Sequence, residues 1–246
     1  MKAACSPEAD PGEIRAWTTA LAGVFPSPRY GELMSKSLNP DKALIFRITH
    51  GDNVQWIIDN GLHCKSSEIV APNFVSIGNP ELIHKRQYRA VDVPPGGTLS
   101  DYIPFYFTPF SPMMYNINTG FAGITKRPNQ EIVILVSSLH KVADQGGTFV
   151  FSDRHAYLQT ARFFADVADL SQIDWPILQA RDFRRDPDDM GKMERYQAEA
   201  LVHRHMPVGW FKGILCYNQA VKKELDGLLQ ERDMNVKVVV APRWYF

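Results

Sequence analysis

The stretch RYQAEALV, Arg195 to Val202, places one carboxylate, Glu199, among two alanines, a leucine and a valine. Helix propensity favours a helix through MERYQAEALV, with Glu199 on its wet side. The competing reading is a strand bordering a cleft, in which the carboxylate is held for chemistry. The stretch alone leaves both open, and the choice decides what the C-terminal part of the chain adds to the fold.

The rest of the chain narrows the setting. Its 246 residues, 45% hydrophobic and 22% charged, suit one substantial core with a small appendage. Lysine plus arginine equals aspartate plus glutamate at 27 each, so no bulk positive field holds a polyanion and any nucleic-acid contact must come from a local patch. Cys5, Cys64 and Cys216 are widely spaced without a CxxC pair, which argues against a disulfide framework and against a zinc site. The N-terminus lacks the apolar core of a signal peptide, and the longest apolar run, Ile132–Val136, is too short to span a bilayer. A reducing, cytoplasmic setting with no membrane partner and no metal is expected.

Residues 1–38 carry turn chemistry around one possible short helix from Pro11 to about Leu21 and read as an N-terminal extension; residues 39–246 read as the main domain. ALIFRITH, Ala43–His50, reads as a strand. GDNVQWIIDNGL after it reads as a helix with Asp52 as N-cap, Val54, Ile57 and Ile58 on one face, and Asn60-Gly61 as its stop. The proline-dense stretch from Pro94 to Pro112 is expected to be irregular, and EIVILVSS to be a strand buried on both faces. In SDRHAYLQTARFFADVADL, Ser152 or Asp153 could cap a helix burying Tyr157, Ala161, Phe164 and Ala168. GILCY, a helix from about Gln219 to Leu229, and NVKVVV close the chain. Neither GxGxxG nor GxxxxGK[ST] follows any strand, so a mixed α+β fold without a nucleotide loop of those kinds is expected.

Four constellations could carry chemistry: RITHGDN from Arg47, the long run from Lys85 to Tyr115, SDRH from Ser152, and RYQAEALV. Singly, each has a bland reading: a capping His50, core aromatics at Tyr102–Phe107, a solvated Arg86, an exposed Glu199. Their order along the chain changes this. ITH with Asn53, an arginine five residues before a valine and then PPGG, DYIPFYF followed by SPMMY, FSDRH with ARFF, QAE with LV, and the aromatic ending RWYF together resemble the DarT family of DNA ADP-ribosyltransferase toxins, from about Ala43 to Phe246.

The resemblance implies an ADP-ribosyltransferase fold with a split central β-sheet and a cleft for NAD⁺, the co-substrate. It also implies transfer of ADP-ribose to a base, thymine rather than guanine, in single-stranded DNA, and a DarG macrodomain antitoxin as partner. It assigns Glu199 as the catalytic glutamate and Arg86, in an NAD⁺-binding element from about Asn73 to Val91, as the catalytic arginine. Arg47, Ile48, Thr49, His50, Asn53 and Tyr106 fall to the nicotinamide end of the cofactor; His155, Met113 and Arg154 fall to the DNA. It also decides the opening question, placing Glu199 on a strand preceded by a substrate loop, Ala180–Tyr196.

The implied chemistry suits these residue types. Cleaving the nicotinamide–ribose bond builds positive charge on the sugar, which an ionised carboxylate stabilises. The acceptor nitrogen is protonated, so a base is needed. Arginine is held protonated, which leaves Glu199 as the preferred proton acceptor and Arg86 to orient the diphosphate or the base. In the loop, Arg181, Arg184, Arg185, Lys192 and Arg195 could meet phosphates, against four acidic residues between Asp182 and Asp189.

Two positions depart from the family pattern: Phe110 stands where an arginine usually precedes SPM, and Ala200 where a phenylalanine usually follows QAE. The first puts one cationic contact in question, the second the packing behind Glu199. Competing functions are an RNA-directed or guanine-directed transferase, and a non-catalytic module that binds NAD⁺ or nucleic acid.

Overall fold

The computed structural model describes residues 37–246, residue 185 excepted. The helix expected near Pro11–Leu21 and Arg185 lie outside the described residues. Leu38, at the edge of the expected extension, is buried in the core and its carbonyl accepts from Gln179 Nε2.

Strand β1, Leu44–His50, leads through a 3₁₀ turn into helix α1, Val54–Asn60, then β2, Leu62–His63, and α2, Pro80–Arg86. Next come β3, Tyr102–Tyr106, α3, Pro112–Thr119, β4, Ile132–Ser138, α4, Leu139–Asp144, and β5, Phe149–Ser152. β6 is Phe163–Phe164, α5 Trp175–Ala180 and α6 Lys192–Arg195. β7, Glu199–His203, β8, His205–Met206, β9, Gly213–Cys216, α7, Gln219–Gln230, and β10, Val238–Val240, complete the order.

Eight strands form one sheet in the order β10-β9-β4-β1-β3-β7-β5-β6, and β2 pairs with β8 separately. β1 and β4 are in register along all of β1, and β3 and β7 along all of β3, yet β1 meets β3 at the single pair Phe46–Tyr106. The sheet is therefore split between β1 and β3. β4 is buried along its whole length, as its continuous apolar run requires. Its two serines are satisfied: Ser137 Oγ donates to the Trp210 carbonyl at 2.6 Å, and Ser138 Oγ accepts from Lys141 N–H to cap α4. No helix among the described residues is long and apolar enough to cross a membrane.

RYQAEALV divides where the two opening readings disagree. Only Arg195 is helical; 196–198 are turn and coil, and Glu199–Val202 are strand, so Glu199 stands on a strand as the resemblance implied. Three expectations are corrected. A strand, β3, runs inside the proline-dense stretch, with Pro104 in its middle; this is tolerated because the neighbouring side is the split, where little pairing is lost. The helix expected from Ser152 or Asp153 does not form: 153–162 is turn, then come β6 and a 3₁₀ helix, Val167–Gln172. Buried Asp153 accepts from the Arg162 backbone N–H at 3.1 Å and from its guanidinium at 3.0 Å, and these side-chain bonds replace a helix cap. Asp52 is not the cap it was expected to be, since His50 Nδ1 accepts the Asp52 N–H and caps the turn ahead of α1.

Ala200 lies opposite Phe105 on one side and Phe151 on the other, and all three are buried. Directly opposed residues share a face, so a small residue sits between two large ones and the row is filled without a phenylalanine at 200. Ala200→Phe is expected to overpack this row and lower stability by about 1–3 kcal/mol, read as a lower urea midpoint. An unchanged midpoint would show a void behind Glu199.

Candidate active site

Glu199, the first residue of β7, lies opposite Tyr106, the last of β3, beside the split. It is 3% exposed. A carboxylate so placed needs partners, and they come from two distant segments. From α2, Arg86 Nη1 donates to Glu199 Oε2 at 2.9 Å and to Oε1 at 3.2 Å. From the turn after β5, Ala156 N–H donates to Oε1 at 3.1 Å, and His155 Nδ1 lies 3.1 Å from the same oxygen. Burial pushes the carboxyl pKa up, but Arg86, His155 and the Ala156 amide together outweigh it and hold the group down at about 2.

Local sequence explains how each partner arrives. Asn79 Oδ1 accepts the Leu82 N–H, Pro80 fills the first turn, and the last turn of α2 is His84-Lys85-Arg86, favourable at a helix C-terminus. Arg89, one turn on, anchors α2 to the other segment: Nη2 donates to the Leu158 carbonyl at 3.1 Å and the guanidinium covers the Phe163 ring at 5.3 Å. Ser152 joins the turn to β7, accepting the Glu199 N–H at 3.3 Å and donating to the Arg154 carbonyl at 2.6 Å.

Arg47 of β1 stands on the opposite lip of the split. Its Nη1 donates to the Pro104 carbonyl at 2.9 Å, and burial, with Arg86 nearby, lowers its pKa to about 10. Burial raises the Tyr106 phenol, Glu199 adds to the rise, and Arg86 and Arg47 oppose it, so all four groups share one enclosure. Tyr106 Oη also reaches Met113 Sδ at 3.9 Å. Arg86 is bonded to Glu199 and Arg47 lies near Arg86, and the buried Arg47 Nε and Arg86 Nη2 have no hydrogen-bond partner. Buried donors left over beside an excess positive charge suit an anionic ligand.

The remaining sequence candidates are placed differently. The Asn53 amide is occupied by Thr49 Oγ1 and by the Val75 backbone in both directions, so it ties the segment before α2 to β1. Both His50 nitrogens are engaged, by the Asp52 N–H and by Glu131 Oε2 at 3.2 Å. Ile48 is a buried apolar residue of β1. Arg154 pairs with Asp153 and with Glu194.

Among the described residues of the 180–196 segment, the cations are held largely by the acidic residues the sequence set against them. Arg184 and Lys192 pair with Asp182, and Arg195 with Asp174 and Asp189. Arg181 instead lies 3.3 Å over the Phe110 ring centroid, so a guanidinium is present beside the position where the resemblance has one in sequence. The sequence reading missed Ser152 and Asp153 as positioning groups, having taken them for helix caps. It also missed the Ala156 amide, for which no residue type is diagnostic. Among the described residues, no group of three His, Cys, Asp or Glu could hold a metal ion.

The family described as ssDNA thymidine ADP-ribosyltransferase, DarT, matches residues 46–246. A DNA ADP-ribosyl transferase of Escherichia coli O127:H6 is 56% identical over 86% of this chain and 97% of its own length. One from Thermus sp. 2.9 is 36% identical over 86% of this chain and 100% of its own. The structure of Thermus sp. 2.9 DarT in complex with ADP-ribosylated ssDNA aligns with a TM-score of 0.77 at 34% identity, covering 84% of this chain and 98% of that one. The same protein in complex with NAD⁺ aligns with a TM-score of 0.72 over 84% and 99% of the two chains.

The Arg86–Glu199 pair generates a pH-dependent expectation. Glu199 is depressed on folding, so its contribution to stability is complete above the ordinary value of 4.5 and is lost as pH falls towards about 2. Arg86→Met removes the cation and leaves a buried carboxylate, which is expected to cost about 3–5 kcal/mol at neutral pH by urea denaturation. The deficit should shrink near pH 4, where Glu199 of the variant is protonated when folded and already largely protonated when unfolded; a deficit independent of pH would mean that lost packing, not lost charge, is responsible.

Proposed function

The chain belongs to the DarT family of ssDNA thymidine ADP-ribosyltransferases, and from that premise we propose that the Glu199 site transfers ADP-ribose from NAD⁺ to the base of thymidine in single-stranded DNA, releasing nicotinamide. The observation that carries the reading is the ionised carboxylate at the split of the sheet, gripped by Arg86, with partnerless buried guanidinium donors beside it.

NAD⁺ is the co-substrate, and the buried donors of the enclosure suit its negative charge. Arg47 Nε and Arg86 Nη2 supply donors for its diphosphate, while the end of β1, Ile48 to His50, and Tyr106 line the nicotinamide end. Thr49 and Asn53 serve that pocket by fixing the segment at Val75. In the reaction the glycosidic bond breaks, its electron pair goes to the nicotinamide ring nitrogen, and Glu199 stabilises the positive charge that develops on the ribose. The acceptor nitrogen then gives up its proton and bonds to the anomeric carbon.

Glu199 is a poor acceptor for that proton, because it is held at about 2 and already accepts from Arg86, Ala156 and His155. His155 is better placed. With Nδ1–H on the carboxylate, Nε2 is the bare nitrogen, the arrangement in which a carboxylate fixes the tautomer of a general base. The Tyr157 N–H, 3.3 Å from Nδ1, takes over that contact in the other tautomer. Met113 and Arg154 are proposed to touch the DNA on either side of this point. Family membership also implies a toxin acting in the cytoplasm, and a DarG-type macrodomain antitoxin that removes the modification.

The test is the intact mass of a mixed-sequence single-stranded oligonucleotide after incubation with the protein and NAD⁺. An ADP-ribose adduct is expected, with fragmentation placing it on thymine; an adduct on RNA alone, or on guanine, would overturn the proposed acceptor. Glu199→Gln should slow adduct formation by about 10³-fold. His155→Gln should slow transfer to DNA by about 10²-fold while hydrolysis of NAD⁺ by water is retained, and equal loss of both would remove His155 as the base.

A further inference from the structure

Helix α2 sends Arg86 inward to Glu199, and its other face is uncovered. Tyr88, just past its end, is 73% exposed, and its ring meets His84 edge-on at 5.5 Å and 67°. That geometry leaves broad aromatic surface open to water, which is uncommon for a residue with no contact to make. Lys85 lies between them in sequence. Among the described residues it pairs with Glu81, across side chains 47% and 73% exposed, and surface pairs of this kind are worth little. Tyr157 follows His155 and Ala156, which hold the Glu199 carboxylate, and Arg89 fixes α2 to that same segment at Leu158. Through Arg86 and Arg89 the aromatic and cationic groups at the end of α2 are thus joined to the segments that hold the catalytic carboxylate.

We infer that this face is a docking strip for the single-stranded DNA that flanks the acceptor base, with Tyr88 and His84 stacking against a neighbouring base and Lys85 meeting a backbone phosphate. The inference rests on the transferase reading. Charge complementarity identifies the occupant: the chain is neutral overall, and Arg184, Lys192 and Arg195 of the 180–196 segment are paired internally. The stretch from Asn79 to Val91, joined to the site through Arg86 and Arg89, carries Lys85, Arg86 and Arg89 against Glu81 alone, and interleaved aromatics and cations are what bind an unpaired strand without reading its sequence.

The experiment compares transfer by the full chain to a minimal acceptor oligonucleotide and to the same acceptor extended at both ends. Tyr88→Ala is expected to raise KM for the extended DNA by about tenfold. At saturating NAD⁺ it should leave kcat and the KM for the minimal acceptor unchanged, while Tyr88→Trp keeps the unaltered KM for extended DNA. Lys85→Gln should flatten the dependence of log KM on log salt by about one phosphate contact. Equal KM values for Tyr88→Ala and the unaltered protein on extended DNA would overturn the strip, as would a Tyr88→Trp defect matching that of alanine. If the unaltered protein modifies neither DNA while remaining folded, the transferase reading falls and the strip falls with it.

Discussion

The ion pair between Arg86 and Glu199 is the constraint around which the molecule is arranged. It joins a helix from the first half of the chain to a strand from the last quarter, across a sheet that is barely paired at that point. Both side chains are largely out of water, at 12% and 4% exposure. Removing two charges from water costs several kcal/mol each, which their attraction offsets only when the other lone pairs and protons are also satisfied. The Ala156 amide and His155 complete the carboxylate. The guanidinium is left incomplete at Nη2. The asymmetry is informative: the anion is finished by the protein, and the cation is left with capacity for something else.

Positioning residues with no role in bond-making hold this pair in place. Ser152, Asp153, Asn53 and Arg89 each fix a backbone segment that has no regular structure of its own. Ser152 and Asp153 set the turn that presents Ala156 and His155, Asn53 sets the approach to α2, and Arg89 holds the far end of that helix. A site assembled from turns needs such bonds, because turn backbone has no ladder to keep it within the tolerance catalysis demands.

That architecture explains what the sequence revealed and what it hid. β1, β4, β9, α7 and β10 were legible because their burial is continuous or periodic and no other pattern accounts for it. Composition and the missing glycine loops gave the mixed α+β class; the split sheet, the NAD⁺ cleft and the strand at Glu199 came from the resemblance. The errors fall where a polar side chain overrides propensity or where the split of the sheet relaxes it. Asp153 converts an amphipathic segment into a turn, His50 takes the cap expected of Asp52, and Pro104 sits in a strand beside the split. The arginines of the 180–196 segment looked available in the sequence, and only the fold shows the aspartates that hold them.

A buried ion pair is weak evidence of stability, since well-packed apolar residues in its place are often as good or better. At Glu199 the alternative is at hand: the next three residues of β7, Ala200, Leu201 and Val202, are apolar and fully buried, and another aliphatic residue would continue the strand without a single hydrogen bond. The chain instead keeps a carboxylate there, holds it ionised far below the ordinary carboxyl range, and recruits a guanidinium, an imidazole and a backbone amide to do so. Packing does not require that arrangement. The proposed reaction, which develops positive charge beside β7, does, because a fixed anion in a water-poor site stabilises that charge without reorganising when the bond breaks.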